Sequence, residues 1–200
     1  MGYSRAIAFT PTVKAIQTRK GSRGAHARQE ASGGWQTEIT EDLKAFISAQ
    51  TSVFPATTNA EGQPYIQHSG GPAGILRVLD AHTIGFADYA GNRQFITTGN
   101  LVENPKAYLF LIDYATRQWI KIWGTARVVD DAILGQDLMP EGYRARLEQV
   151  ILFTVTAWDA NCPQHIPLRI DAADVTKALA ARDSRTAELK AEVAGLKSAP

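Results

Sequence analysis

Four apolar, β-branched runs crowd into residues 70–128 and limit what the chain can become. They cover residues 75–79, 83–87, 107–112 and 118–129. Alternation and β-branching mark them as strands, and their short connections make the strands antiparallel. One connection is different. Residues 91–102 open on Gly-Asn-Arg-Gln and then turn apolar, which predicts a helix inserted between two strands. Asn92 is the expected N-cap, with Arg93 and Gln94 in the first turn. N–H groups at such a helix start point outward and favour an anion, and a guanidinium adds a forked donor suited to phosphate oxygens. A capped surface helix is the plainer reading of the same residues.

Around this stretch the chain reads in order. Thr10-Pro11 predicts a capped helix to about Arg19, with Val13, Ile16 and Gln17 on one face. Residues 20–34 are rich in Gly, Ser, Arg and His and are expected to be a basic, solvated loop or an arm that reaches a phosphate. Thr40 caps a second helix, with Glu41 and Asp42 in its first turn and Leu43, Phe46 and Ile47 on one face. Residues 52–58 and 64–67 form a hairpin around Asn59-Ala60-Glu61-Gly62. Gln67-His68-Ser69-Gly70-Gly71-Pro72 then gives either a close backbone approach to a ligand or a barrel corner. Residues 130–146 are polar with helical patches, and residues 150–157 form another strand. From Asp171 the tail is helical. Val175, Leu179, Leu189, Val193 and Leu196 fall on a heptad grid, with Arg182 and Thr186 filling two of its positions.

The order strand, strand, Asn-Arg-Gln helix, Asn-Pro, strand, Arg-Gln strand resembles the pyridoxamine 5′-phosphate oxidase-related family of FMN-binding split β-barrels. The matching residues are Arg77-Val78-Leu79, Phe86-Ala87-Asp88, Asn92-Arg93-Gln94, Asn104-Pro105 and Arg117-Gln118 through Gly124. The likeness covers roughly residues 40–170. It is nearest to a branch carrying Gln-His-x-Gly-Gly-Pro and Asn-Cys-Pro-Gln-His. The resemblance implies a mainly β fold with flanking helices, a six-stranded antiparallel split barrel. Residues 1–39 would be an N-terminal extension, 40–170 the barrel and 171–200 a C-terminal helix. It also implies FMN as cofactor, held at the interface of a homodimer. Arg77, Asn92, Arg93 and Gln94 would take the phosphate. Val78, Leu79, Ala87 and Asp88 would form the ring slot, and Gln118 would bond the polar edge of the ring. Trp158 and Arg169 would come from the partner subunit, with His68 and His165 on the substrate side.

Gln94 stands where many members carry Lys, and Asp80 where the oxidases carry a basic residue. The expected activity is therefore FMN-dependent oxidoreduction of another small molecule, related to pyridoxamine 5′-phosphate oxidation but distinct from it. The alternative is a non-enzymatic protein that stores or senses a flavin or haem. A net charge of +1 argues against general nucleic-acid binding. One cysteine allows no intrachain disulfide, and no apolar run reaches the roughly 18–20 residues that span a bilayer, so a cytoplasmic protein is expected. No secretory leader is evident. The four His and one Cys have no recognised metal-ligand spacing. A Cys162/His165 nucleophile pair would need an orienting acid that the sequence does not identify. Phosphate-loop and dinucleotide fingerprints are absent.

Overall fold

The computed structural model describes residues 4–161 and 163–198. Two compact units arise. One comprises Met1–Asp113 with Trp119–Cys162, and the other Tyr114–Gln118 with Pro163–Pro200.

The first unit begins with a 3-10 turn, Ser4–Ile7, and three helices: α1 (Pro11–Arg19), α2 (Arg23–Ala31) and α3 (Glu41–Ala49). The expected caps form: Thr10 Oγ1 accepts from Val13 N at 3.2 Å, and Thr40 Oγ1 accepts from Leu43 N at 3.3 Å. α2 is a correction, because residues 20–34 were expected to be a loop. The Arg23 guanidinium reaches along the helix to Glu30 (2.5 Å) and to Gln17 on α1 (2.8 Å). Lys14 lies 3.7 Å from the same carboxylate. Arg23 thus holds the Glu30 carboxyl below its ordinary range. This part of the basic run ties helices together.

Eight strands follow: β1 (Ser52–Thr58), β2 (Pro64–Ile66), β3 (Ser69–Gly70), β4 (Arg77–Val78), β5 (Thr83–Tyr89), β6 (Lys106–Asp113), β7 (Gln118–Val129) and β8 (Leu147–Ala160). Between them lie α4 (Ile96–Glu103) and α5 (Ala132–Leu138). The sheet runs β2-β1-β6-β7-β8-β5-β4, with β3 on β1. β1 pairs antiparallel with β2, β3 and β6, β5 with β4 and β8, and β7 with β8. Among the described residues the path is open, with β2 and β4 at its ends, so the expected closure as a six-stranded barrel is not seen.

Patterning explains the layout. β1 alternates buried and part-buried positions, as a strand with one core face should. β5 instead buries Ile84, Gly85, Phe86 and Ala87 in succession. Phe86 and Ile84 enter the main core with Leu43, Ile47, Ile122 and Phe153. On the other side Ala87 joins Leu138 of α5 and Val150. Covered on both faces, β5 reads as a continuous apolar run. Residues 75–79 look similar in sequence but join β5 through Arg77, Val78 and the Leu79 N–H, which donates to Thr83 O at 2.8 Å, because Ile75 and Leu76 are spent in the core ahead of β4.

β7 and β8 slip register between Trp123 and Gly124. At Gly124 an added Cβ would run into the Thr154 carbonyl oxygen and the Phe153 ring. A glycine is required by this close approach of backbones.

The second unit carries α6 (Ala172–Ser198), a 27-residue helix. Arg169 there stacks its guanidinium 4.3 Å from the Tyr114 ring centre.

Candidate functional site

Antiparallel pairing of β5 with β8 sets Asp88 opposite Gln149. Gln149 Nε2 donates to Asp88 Oδ2 and to Thr98 Oγ1, each at 2.8 Å. That amide fastens the end of β5 to the first turn of α4. The segment between them, residues 89–95, is thereby bent over a cleft of about 190 Å³. Its walls include Asp88 to Thr98, Glu148, and Tyr65, Gln67 and Ser69 from the hairpin region.

The helix start differs from the sequence expectation. Asn92 does not cap α4. Its Oδ1 accepts from Gln94 N at 3.2 Å, closing a local turn. Arg93 and Phe95 both take left-handed backbone conformations, with φ of 57° and 52°. Phe95 occupies the cap position and has no side-chain cap bond. The first helical bond runs from Gly99 N to Phe95 O at 2.9 Å. The N–H groups of Ile96, Thr97 and Thr98 are therefore those that an α-helix leaves unpaired at its start, and they lie in the cleft wall. Thr97 Oγ1 is buried with no partner, as is Tyr89 Oη, and both residues line the cleft. Orphaned buried polar atoms at a helix N-terminus are what an anion-binding seat contains before it is filled.

Charge in the cleft is mixed. Arg93, 59% exposed, lies 3.4 Å from Glu148 and places its guanidinium 5.5 Å from the Phe95 ring centre. Arg146 reaches the other Glu148 oxygen at 3.4 Å. Burial pushes the Asp88 carboxyl above its ordinary range; the Gln149 hydrogen bond opposes the shift and the nearby Glu148 charge adds to it. Two guanidinium groups thus share the Glu148 carboxylate oxygens, and the Asp88 carboxyl is biased toward its neutral form.

Of the residues singled out in the sequence, Asp88, Asn92, Arg93 and Gln94 meet in this cleft. Arg77 and Val78 pair with Gly85 and Ile84 at the sheet end. Leu79 packs toward Gly85, and Ala87 faces the α5 cluster. None of these four lines the cleft. Trp158 donates its indole N–H to Glu38 O at 2.8 Å. His68 contacts Ser52 Oγ at 3.1 Å and tilts against Phe54. Gln118, His165 and Arg169 belong to the second unit. His165 there has φ of 66°, and Cys162 lies outside the described residues. The sequence reading missed Thr97, Thr98, Glu148 and Gln149. The two threonines were legible as first-turn residues once the helix start was moved. The β8 pair depends on the β5–β8 register, which no local signal encodes.

A second polar cluster lies across β7 and β8. Trp35 stacks on Trp123 at 4.4 Å, and Lys121 Nζ sits 5.4–5.7 Å from the ring centres of Trp35, Trp119 and Trp123. Lys121 also pairs with Asp159 at 2.9 Å. Burial, with Asp159 adding, pushes the neighbouring Tyr108 phenol up to about 12. Among the described residues, no group of three or more His, Cys, Asp or Glu is placed to hold a metal ion, and no helix is long and apolar enough to cross a membrane.

An antiparallel sheet with flanking helices and a polar cleft at a strand–helix junction defines the class: a mainly β protein of the pyridoxamine-phosphate-oxidase-like fold. The chain belongs to the pyridoxamine 5′-phosphate oxidase family, whose model matches residues 39–162. No curated protein sequence matches. Among solved structures, HupZ of Group A Streptococcus superposes with a TM-score of 0.51 at 20% identity, covering 66% of this chain and 99% of its own. An FMN-binding protein from Syntrophomonas wolfei subsp. wolfei gives a TM-score of 0.50 at 12% identity, covering 74% and 97%. Both likenesses are of fold.

Proposed function

We propose that the protein binds FMN and holds its phosphate at the α4 N-terminus. The observation that carries this reading is the set of donors gathered at one cleft: the first turn of α4, whose N–H groups an α-helix leaves unpaired, and the Arg93 guanidinium, with the Thr97 hydroxyl buried without a partner behind them. Family membership and the FMN-binding structural neighbour support the choice of flavin. The donor set fits a phosphate monoester. Glu148 holds Arg93 in reserve, and an arriving phosphate competes with it for the same guanidinium.

The cleft of about 190 Å³ is smaller than the roughly 300–1,000 Å³ of complete cofactor pockets, so it fits the phosphate end and leaves the ring outside it. In this reading a homodimer completes the site. Val78 and Leu79 line the ring slot from one side. Trp158 comes from the second copy, and His68 faces the substrate. The flavin supplies hydride chemistry when bound, while the protein supplies anchoring, orientation and a dry surface. Such a protein acts as a cytoplasmic oxidoreductase on a small molecule.

The test is a visible absorption spectrum of the purified protein, with the chromophore identified after denaturation. A flavin spectrum releasing FMN is expected, followed by bleaching with a reduced nicotinamide or deazaflavin donor. A colourless protein that takes up no added FMN overturns the cofactor reading. A bound flavin that accepts no donor leaves a flavin-storing or flavin-sensing protein in place of the enzyme.

A further inference from the structure

The exposed apolar stripe on α6 identifies a partner by its flanking charges. Every α6 side chain from Ala172 to Lys197 is exposed. Val175, Leu179, Leu189, Val193 and Leu196 are 43–72% exposed, although they follow one heptad seam. With Leu179, Thr186 and Val193 at a positions, the d positions hold Val175, Arg182, Leu189 and Leu196. The seam is then edged by Asp183 and Lys190 on the e side and by Arg185 and Glu192 on the g side.

We propose that α6 docks on α6 of a second copy of this chain, in an antiparallel pair. In antiparallel coiled coils e faces e and g faces g, and a packs across from d. Setting Leu179 against Leu196 brings Thr186 against Leu189 and Arg182 against Val193. The same register sets Asp183 against Lys190 and Arg185 against Glu192. Two-fold symmetry repeats each contact, so all the charged flanking pairs are of opposite sign. A parallel pair places g against the following e. That sets Arg185 beside Lys190, a like-charge contact, and Glu192 beside Lys197, an opposite-charge one, so repulsion offsets attraction where the antiparallel pair has attraction alone. Charge complementarity therefore selects both the partner and its direction.

Arg182 is the one charged residue in the seam, and its guanidinium is 2.7 Å from Asp183 at the seam edge. Held there, its head stays in water while its stem covers Val193. A polar seam residue lowers affinity and fixes register. The inference uses only α6 and does not depend on flavin binding.

Sedimentation of the full chain tests it. Leu189→Glu is expected to weaken self-association, read across a dilution series, by at least about tenfold, whether or not the sheet unit also pairs. Asp183→Lys is expected to weaken association by about tenfold, from two opposite-charge contacts turned repulsive, and Lys190→Asp added to it is expected to restore association. Direction is read by spin labels on Lys177→Cys in a Cys162→Ser background. The antiparallel register separates them by about 32 Å along the axis. An unchanged self-association constant in Leu189→Glu overturns the proposal. So does failure of the double charge reversal to restore association, or labels with no axial offset, within about 20 Å across the two helix diameters.

Discussion

Glu148→Gln is expected to strengthen FMN binding, and the structure sets how much. Glu148 accepts from Arg93 and from Arg146, each at 3.4 Å, and its side chain is 21% exposed. In the free protein it competes with an incoming phosphate for Arg93. At an effective dielectric near 20, unit charges about 4 Å apart interact by about 4 kcal/mol. Solvent screening and the 59% exposure of Arg93 reduce this to the 0.2–1 kcal/mol typical of exposed pairs, so about 0.5–1 kcal/mol is released to the ligand. FMN affinity should rise about two- to fivefold. The amide keeps the side-chain shape and removes only the charge. Fluorescence titration with FMN and with riboflavin reads the effect. Riboflavin, lacking the phosphate, should be unchanged. Weaker FMN binding, or an equal shift for both ligands, would refute the competition between Glu148 and the phosphate.

Arg93→Ala should weaken FMN by about 10–30-fold, the worth of a charged hydrogen bond of about 1.5–2 kcal/mol, while riboflavin titrates as before. Gly124→Ala should lower stability by about 1–3 kcal/mol, measured by chemical denaturation, because the Cβ meets the Thr154 carbonyl and Phe153. Asn100→Ala should cost about 1–2 kcal/mol in the same assay, since it leaves Thr57 Oγ1 buried without its 2.9 Å donor. For Asp88 the folded carboxyl sits above its ordinary value of 3.8, so the native state holds the proton more tightly. Stability is then lost as pH rises through that folded value. Asp88→Asn should be more stable than the parent at pH 7 and equal to it below about pH 4, in a denaturation series across pH.

Periodicity carried most of the fold. β1 and β7 match their predicted spans because each has one alternating core face and a clear turn at its ends. α1 and α3 were legible from Thr10-Pro11 and Thr40. Tertiary contacts overrode local pattern in two places. Arg23–Gln17 and Lys14–Glu30 tie α2 to α1 in a stretch whose composition reads as loop, and Ile75 and Leu76 left the sheet for the core. Open sheet ends could not be read either, since closure depends on pairings between distant strands. At the site, Asn92 supports both a helix cap and an Asx turn. Only the left-handed Arg93 and Phe95 separate the two, and neither residue type announces such a conformation. The sequence therefore brought Asn92, Arg93 and Gln94 to the cleft and set the start of α4 a few residues too early.

The central claim is that the α4 N-terminus grips a flavin phosphate. Parallel titration of the apoprotein with FMN and riboflavin, with inorganic phosphate as competitor, tests it most directly. The account predicts that FMN binds at least about tenfold more tightly than riboflavin, the worth of at least one charge-assisted hydrogen bond, and that phosphate narrows the gap. Equal affinities that phosphate does not alter would contradict it.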